Sequence, residues 1–153
     1  MISLSRRLPL GAPIFYKWEL RAAKPLDACQ VKDYCDKVAR LLLLSDEQHE
    51  RLLWAAVLHD IGKILDTSPS HVQTGCQIVA GLKLGNRLSE LILRHHDPGS
   101  WATIELEILT TVDRFVNLFT CLLDKRLCLE QLRQDCAQGA ASAKVTAALE
   151  QVL

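Results

Sequence analysis

The sequence has no excess of charge of either sign and no long hydrophobic run. Its 153 residues include 18 Lys and Arg against 18 Asp and Glu, so the formal net charge is zero. A chain without a basic field lacks the main attraction for nucleic acid or an acidic membrane surface, and we expect neither partner. No apolar run approaches the roughly 20 residues of a membrane span. The opening MISLSRRLPLGAP lacks the apolar core of a secretory signal, so we expect a cytoplasmic protein.

Paired cysteines at metal-binding or redox spacing are also missing. No two of the six cysteines have CxxC spacing, which excludes a zinc ribbon and a dithiol redox motif. Most lie in leucine- or valine-rich stretches, where a free cysteine behaves as a small core hydrophobe. This usage indicates a reducing compartment. The six are Cys29, Cys35, Cys76, Cys121, Cys128 and Cys136.

Glycine, proline and strand-like alternation are scarce. The chain has seven glycines and five prolines, and its apolar residues recur mostly at the helical spacings of three and four. With 49% hydrophobic residues, a chain of this length can build its own core. The sequence therefore predicts an all-α fold, a compact helical bundle of six to eight helices in one domain over residues 1–153. The chemically informative motifs occupy about residues 25–120, between a short helix at 13–24 and short helices at 124–153.

Local signals set the predicted helix boundaries. Ser45 and Gln48 have the spacing of a capping box, which predicts a new helix after a first core helix over residues 26–44. This new helix should run towards Gly62, and Asn86 is a candidate cap for a later helix. The remaining predicted helices cover residues 71–80, 86–97 and 102–123.

Four of the five histidines fall between residues 59 and 96, at positions that are unusual for solvated histidines. His59-Asp60 and His95-His96 each end an apolar run, and Asp113 lies in a mostly apolar helix. A carboxylate on a buried face is costly unless a cation or several donors meet it. Imidazole and carboxylate are ligands of divalent first-row metals. Because neighbouring residues on a helix point about 100° apart, the predicted metal centre needs ligands from several helices.

These residues resemble a known family. The run WAAVLHDIGKI resembles the signature of the HD-domain metal-dependent phosphohydrolases, in the HDIG form. In the same order, His71-x-x-x-Gly75, Arg94-His95-His96-Asp97 and Thr111-Val112-Asp113 resemble the later elements of the family pattern. The resemblance covers about residues 25–120 and implies an all-α HD fold. It also implies one or two divalent ions, with Mn, Fe, Co, Ni, Zn and Mg all open, and hydrolysis of a phosphomonoester or phosphodiester.

The chain departs from the family pattern at its first position. The pattern opens with a histidine on the helix before the HD pair, and this position falls at about Asp27. Asp27 is a candidate anionic oxygen ligand that favours a harder metal, and Gln30 is a poorer candidate. The alternatives are that one metal position is lost or that the site no longer turns over substrate.

A metal-dependent mechanism gives each candidate residue a role. Asp60 is the candidate bridge between two metal positions and a catalytic residue, because a carboxylate has two oxygens. Lys63 is a catalytic candidate that meets a substrate phosphate as a point charge, and Arg114 is a second candidate for phosphate contact. The predicted metal ligands are His59 and Asp113 at the first position, His71, His95 and His96 at the second, Asp60 between them, and Asp27 in addition.

Three functions remain open at this point. The leading hypothesis is hydrolysis of a nucleotide or another small phosphoester through a metal-activated water. The alternatives are a catalytically impaired HD-domain module used for regulation or interaction, and a di-iron oxygenase of the HD type. The apolar tail from about Leu127 fits either internal packing or a homodimer face.

Overall fold

The computed structural model describes residues 25–97, 99 and 101–153, with side chains from residue 28 onward. These residues form seven α-helices and one short 3-10 helix and include no strand, which confirms the predicted all-α fold. The short helix predicted at 13–24 lies outside the described residues. The elements are α1 (Pro25–Leu41), α2 (Asp46–Leu58), the 3-10 helix (Ile61–Ile64), α3 (His71–Gly81), α4 (Asn86–Arg94), α5 (Ile104–Leu122), α6 (Lys125–Ala137) and α7 (Ala143–Val152).

Helix α5 lies at the centre of the fold. It packs against α1, α2, α4, α6 and α7, and ten of its 19 residues are buried. Among them is Phe115, whose ring meets the ring of Tyr34 on α1 edge-on, with the centroids 5.5 Å apart. A helix covered on several sides is apolar around most of its circumference. The buried Asp113 on the same helix is therefore a polar exception that needs a partner.

The join between α1 and α2 follows its sequence signals closely. The Ser45 side chain accepts from the backbone N–H of Gln48, and the Gln48 side chain accepts from the Ser45 N–H, which confirms the predicted capping box. Helix α1 ends at Leu41, three residues before its predicted end, and Leu43 turns the chain with a φ of 55°. Leu41, the last residue of α1, is exposed.

Helix α2 ends at Leu58 rather than running towards Gly62. His59 and Asp60 occupy a turn, and the 3-10 helix that follows packs against α3. A Cβ added at Gly62 would lie 1.9 Å from the carbonyl oxygen of His71 and 2.6 Å from the amide nitrogen of Gly75. Only glycine permits so close an approach of two backbones. The contact fixes the His59-Asp60 turn against the start of α3.

Helix α3 begins at His71, as predicted, whereas the cap of α4 differs from the predicted one. The N-cap of α4 is Gly85, with a φ of 104°, and Asn86 is already the first helical residue. Glycine is favoured there because a side chain is strained at positive φ. Helix α4 ends at Arg94, so His95 and His96 follow its last turn. In the described part of the chain, no helix has both the length and the apolar character needed to cross a membrane.

Candidate metal centre

Four separate elements bring the predicted ligands together. The turn after α2 supplies His59 and Asp60, the first residue of α3 is His71, the end of α4 supplies His95 and His96, and α5 supplies Asp113. In two groups of these residues, the potential ligand atoms all lie within 4.8 Å of one another. The first group is Asp60, His71, His95 and His96, and the second is His59, His95 and Asp113.

Asp60 lies between the two groups, with each oxygen facing different partners. Its Oδ1 is 3.3 Å from Nε2 of His71 and 3.7 Å from Nε2 of His95. Its Oδ2 is 3.3 Å from Nε2 of His59, which in turn is 3.3 Å from Oδ1 of Asp113. One carboxylate therefore connects the ligand atoms of both groups.

Three of the imidazoles are oriented by backbone carbonyls. Nδ1 of His59 lies 2.8 Å from the Ala56 oxygen, and Nδ1 of His95 lies 2.6 Å from the Ile92 oxygen. Nδ1 of His71 makes the same contact with the Ser68 oxygen at 2.8 Å. Since a carbonyl oxygen only accepts, each Nδ1 must carry the proton and donate it. In the neutral ring, Nε2 then keeps its lone pair for a ligand.

The ligand atoms are buried and incompletely satisfied. His59, His71 and His95 are almost fully buried. Nε2 of His59, Nε2 of His95 and Oδ1 of Asp60 are buried and make no hydrogen bond within the described residues. Lone pairs that face each other in a buried site repel unless a proton or a cation lies between them. The donor set of imidazole nitrogens and carboxylate oxygens fits a divalent first-row metal.

The charges of the cluster favour a cation in the same place. Burial lowers the pKa of His59, but the carboxylates of Asp60 and Asp113 outweigh burial and raise it to about 10. Burial raises the pKa of Asp60 and Asp113, yet His59 overcomes this, so both values lie below the usual range. Burial holds the pKa of His96 down, to about 2. The two carboxylates thus hold a positive charge on His59, where a metal ion would take its place, while the neutral imidazole of His96 is able to coordinate.

A comparison with protein families decides the family of the chain. The family model for the HD domain matches residues 20–118. The chain belongs to the HD domain family. The matched segment contains all the residues of both ligand groups, and the predicted resemblance is thereby confirmed, although its HDIG form is not tested. Neither a curated protein nor a solved structure matches the chain.

Membership of the HD domain family carries a general chemistry. HD domains form a superfamily of metal-dependent hydrolases and bind divalent metals. In this HD domain, the two groups of His and Asp residues are able to hold such ions. Helices α6 and α7 lie beyond the matched segment.

The two predicted phosphate-binding residues of this HD domain lie in different places. Nζ of Lys63, on the 3-10 helix, donates to Oδ2 of Asp60 at 2.6 Å. The guanidinium of Arg114 instead donates through Nε to Oδ2 of Asp135 on α6, at 2.5 Å. The structure therefore brings Lys63 to the cluster and does not bring Arg114 there. The side chain of Asp27 lies outside the described part of this HD domain.

One neighbour of the cluster was missed in the sequence. Nδ2 of Asn117 donates to Oδ1 of Asp113 at 3.1 Å. The oxygen that faces His59 is therefore held from a second side. The available signal was the spacing, because a residue four positions after Asp113 on a helix lies on the same face.

Proposed function

We propose that this HD domain is a metal-dependent phosphohydrolase that cleaves a nucleotide or another small phosphomonoester or phosphodiester through a metal-activated water. The observation that carries the proposal is the position of Asp60. Its two oxygens face His71 and His95 on one side and His59 on the other, at 3.3 to 3.7 Å. A carboxylate with two separated sets of buried ligand atoms suits a pair of cations that share it.

The proposed ligands divide between two metal positions. His59 and Asp113 would hold one ion, and His71 with His96 the other, with His95 within reach of both groups. A bound divalent ion supplies Lewis acidity, which lowers the pKa of water and neutralises charge on phosphoryl oxygens. The contribution of the chain is to hold the imidazoles in one tautomer and to keep the ligand atoms out of bulk water.

Lys63 is the proposed residue for substrate phosphate. Its ammonium contacts Asp60, and its side chain is 18% exposed, whereas the imidazoles behind Asp60 are fully buried. Lys63 and Asp60 are thus partly exposed members of the cluster, on the side from which an anionic substrate would approach. A lysine at this point acts as a compact positive charge that is able to reorient from Asp60 to a phosphoryl oxygen.

Asp27 remains a proposed ligand on sequence grounds. It occupies the position of the first histidine of the family pattern, and an oxygen ligand there favours a harder ion than an imidazole does. If Asp27 coordinates, an Asp27→Ala variant should keep its affinity for a divalent ion at one metal position and lose affinity at the other. Metal titration of that variant tests the assignment.

The direct test of the function is hydrolysis after defined metal loading. Protein stripped with a chelator and reloaded with Mn(II), Fe(II) or Co(II) should hydrolyse 4-nitrophenyl phosphate or bis(4-nitrophenyl) phosphate. Asp60→Ala should abolish both metal binding and hydrolysis. The matched control is Asp36→Ala, because Asp36 also pairs with a histidine, His49, at 2.8 Å but lies outside the cluster. The control should keep full activity.

The same preparation separates the alternative functions. Metal binding without hydrolysis of either ester would favour a regulatory module. Consumption of oxygen by the iron-loaded protein would favour a di-iron oxygenase. A wild-type chain that binds no divalent ion contradicts the proposed function altogether.

A further inference from the structure

The carbonyls that orient the three buried imidazoles differ in what holds them. Ala56 and Ile92 lie in the last turns of α2 and α4, where the regular helical backbone sets the direction of both carbonyl groups. Ser68, the acceptor for His71, lies in the loop between the 3-10 helix and α3. The Ser68 carbonyl also accepts the backbone N–H of His71 at 3.0 Å, so the orientation of His71 depends on what fixes the loop that carries this turn.

The carboxylate of Asp66 fixes the loop from inside. Its Oδ1 accepts the backbone N–H of Ser68 at 2.9 Å, and its Oδ2 accepts the hydroxyl of Ser70. The two serine hydroxyls also bond each other at 2.6 Å. The Asp66 carboxylate thus holds two parts of the loop. It binds the peptide group that precedes Ser68 and the side chain of Ser70, which follows.

The backbone of Asp66 also contacts the element that follows Asp60. Its backbone N–H donates to the carbonyl of Gly62 at 2.9 Å, within the 3-10 helix that follows Asp60. Hydrogen bonds from Ser68 and Ser70 hold the pKa of the Asp66 carboxyl down, to about 2, so it is ionised at neutral pH. An ionised acceptor makes stronger hydrogen bonds than a neutral one.

We propose that Asp66 is a positioning residue, which fixes the Ser68 carbonyl and, through it, the ring orientation and Nδ1–H tautomer of His71. The inference rests on the proposed function in taking His71 as a metal ligand. It deepens that function by making the metal position at His71 depend on a loop, whereas the position at His59 and Asp113 depends on helices. Loss of Asp66 should therefore weaken one metal position and spare the other.

The first test needs no metal. Long-range proton–nitrogen NMR spectra of the imidazole rings distinguish the two tautomers. In the metal-free wild type, His71 should show the Nδ1–H form, and in Asp66→Ala it should shift to a mixture. The signals of His59 and His95 should not change, because their carbonyl partners lie in helices.

Asp124→Ala is the matched control. Asp124 also accepts backbone N–H groups ahead of a helix, from Arg126 and Leu127, but at α6. It should alter none of the imidazole signals, although it removes the same kind of local hydrogen bonding. Circular dichroism and thermal unfolding should show both variants folded, since Asp66 lies in a surface loop.

The second test is Mn(II) titration by calorimetry. Removal of an outer hydrogen-bond partner of a ligand typically costs about 10- to 100-fold in metal affinity. Because Asp66 acts through the Ser68 carbonyl, Asp66→Ala should lose affinity by up to that factor at one of two positions. Asp66→Asn should lose less, because the amide oxygen still accepts from Ser68. Unchanged His71 signals, or unchanged affinity at both positions, would overturn the proposal. Failure of the proposed function shows instead in the wild type, as absence of Mn(II) binding or of hydrolysis.

Discussion

Two adjacent residues of α5, Asp113 and Arg114, lie in opposite kinds of electrostatic environment. Arg114 forms a closed pair with Asp135, which is fully buried and also accepts from the Gln131 side chain at 3.1 Å. Asp113 lies among imidazoles, near a second carboxylate, Asp60, with which it shares His59. In the first environment each charge has its partner. In the second, ligand atoms stay unsatisfied within the described residues.

The difference separates stability from function on one helix. A buried ion pair is neutral overall, and breaking it by removing one partner leaves an uncompensated charge. In the cluster, by contrast, two carboxylates draw positive charge from His59 and Lys63, and buried ligand atoms remain for a cation to occupy. Natural proteins often keep such destabilising arrangements at functional sites. Four substitutions test the contrast between the two environments. They are ranked by their expected effect on the free energy of unfolding of the metal-free protein.

The largest effect is expected for Arg114→Met. It leaves the Asp135 carboxylate buried without its cation, and the free energy of unfolding should fall by about 3–5 kcal/mol. Urea unfolding followed by circular dichroism measures the change. The folded fraction should bind Mn(II) as the wild type does, because Arg114 does not contact the cluster. Impaired metal binding in the folded variant would show that the two environments are coupled.

Gly62→Ala should have the next largest effect. The added methyl would meet backbone atoms of His71 and Gly75, which have little room to shift, so we expect a loss of about 2–3 kcal/mol. Metal affinity should fall as well, because the 3-10 helix and α3 must separate. Gly81→Ala is the control, since a Cβ there meets nothing within 4 Å. Equal unfolding curves for both variants would contradict the close approach.

Much of the fold and of the candidate site was predictable from local sequence signals. The capping box at Ser45 and the helical spacing of apolar residues act within a few positions, and both were confirmed. The ordered His and Asp motifs predicted which residues would lie together, and the structure brings the described ones into one cluster. Their roles as ligands stay a proposal.

What the sequence did not reveal depends on contacts between elements. A helix was predicted to run towards Gly62, whereas this glycine permits two backbones to touch. The partner of Arg114 lies 21 positions away on another helix, so adjacency to Asp113 was a poor guide to where its guanidinium points. Likewise, no periodic pattern in the sequence indicates the hydrogen bonds that Asp66 makes within its loop.

His49→Ala should have a smaller effect. Nε2 of His49 lies 2.8 Å from Oδ1 of Asp36, and the His49 side chain is 19% exposed. The pair joins α1 and α2 near the surface, and such pairs contribute at most about 1 kcal/mol. Thermal unfolding should show a small decrease in stability. Metal titration should show no change, in contrast to His59→Ala, which removes a proposed ligand.

The smallest effect on stability, together with the loss of one metal position, is expected for Asp113→Asn. The amide has nearly the same shape, and His59 keeps Asp60 as its counter-charge, so no buried charge is left without a partner. We therefore expect the metal-free free energy of unfolding to change by less than about 1 kcal/mol. Excess Mn(II) stabilises a protein by about 2.7 kcal/mol per site at 100 times the dissociation constant. The variant should lose that increment for one site, and urea unfolding with and without Mn(II) measures both quantities. If Asp113→Asn instead destabilised the metal-free protein as strongly as Arg114→Met, Asp113 would be a structural partner of His59, and the contrast between the two environments would fail.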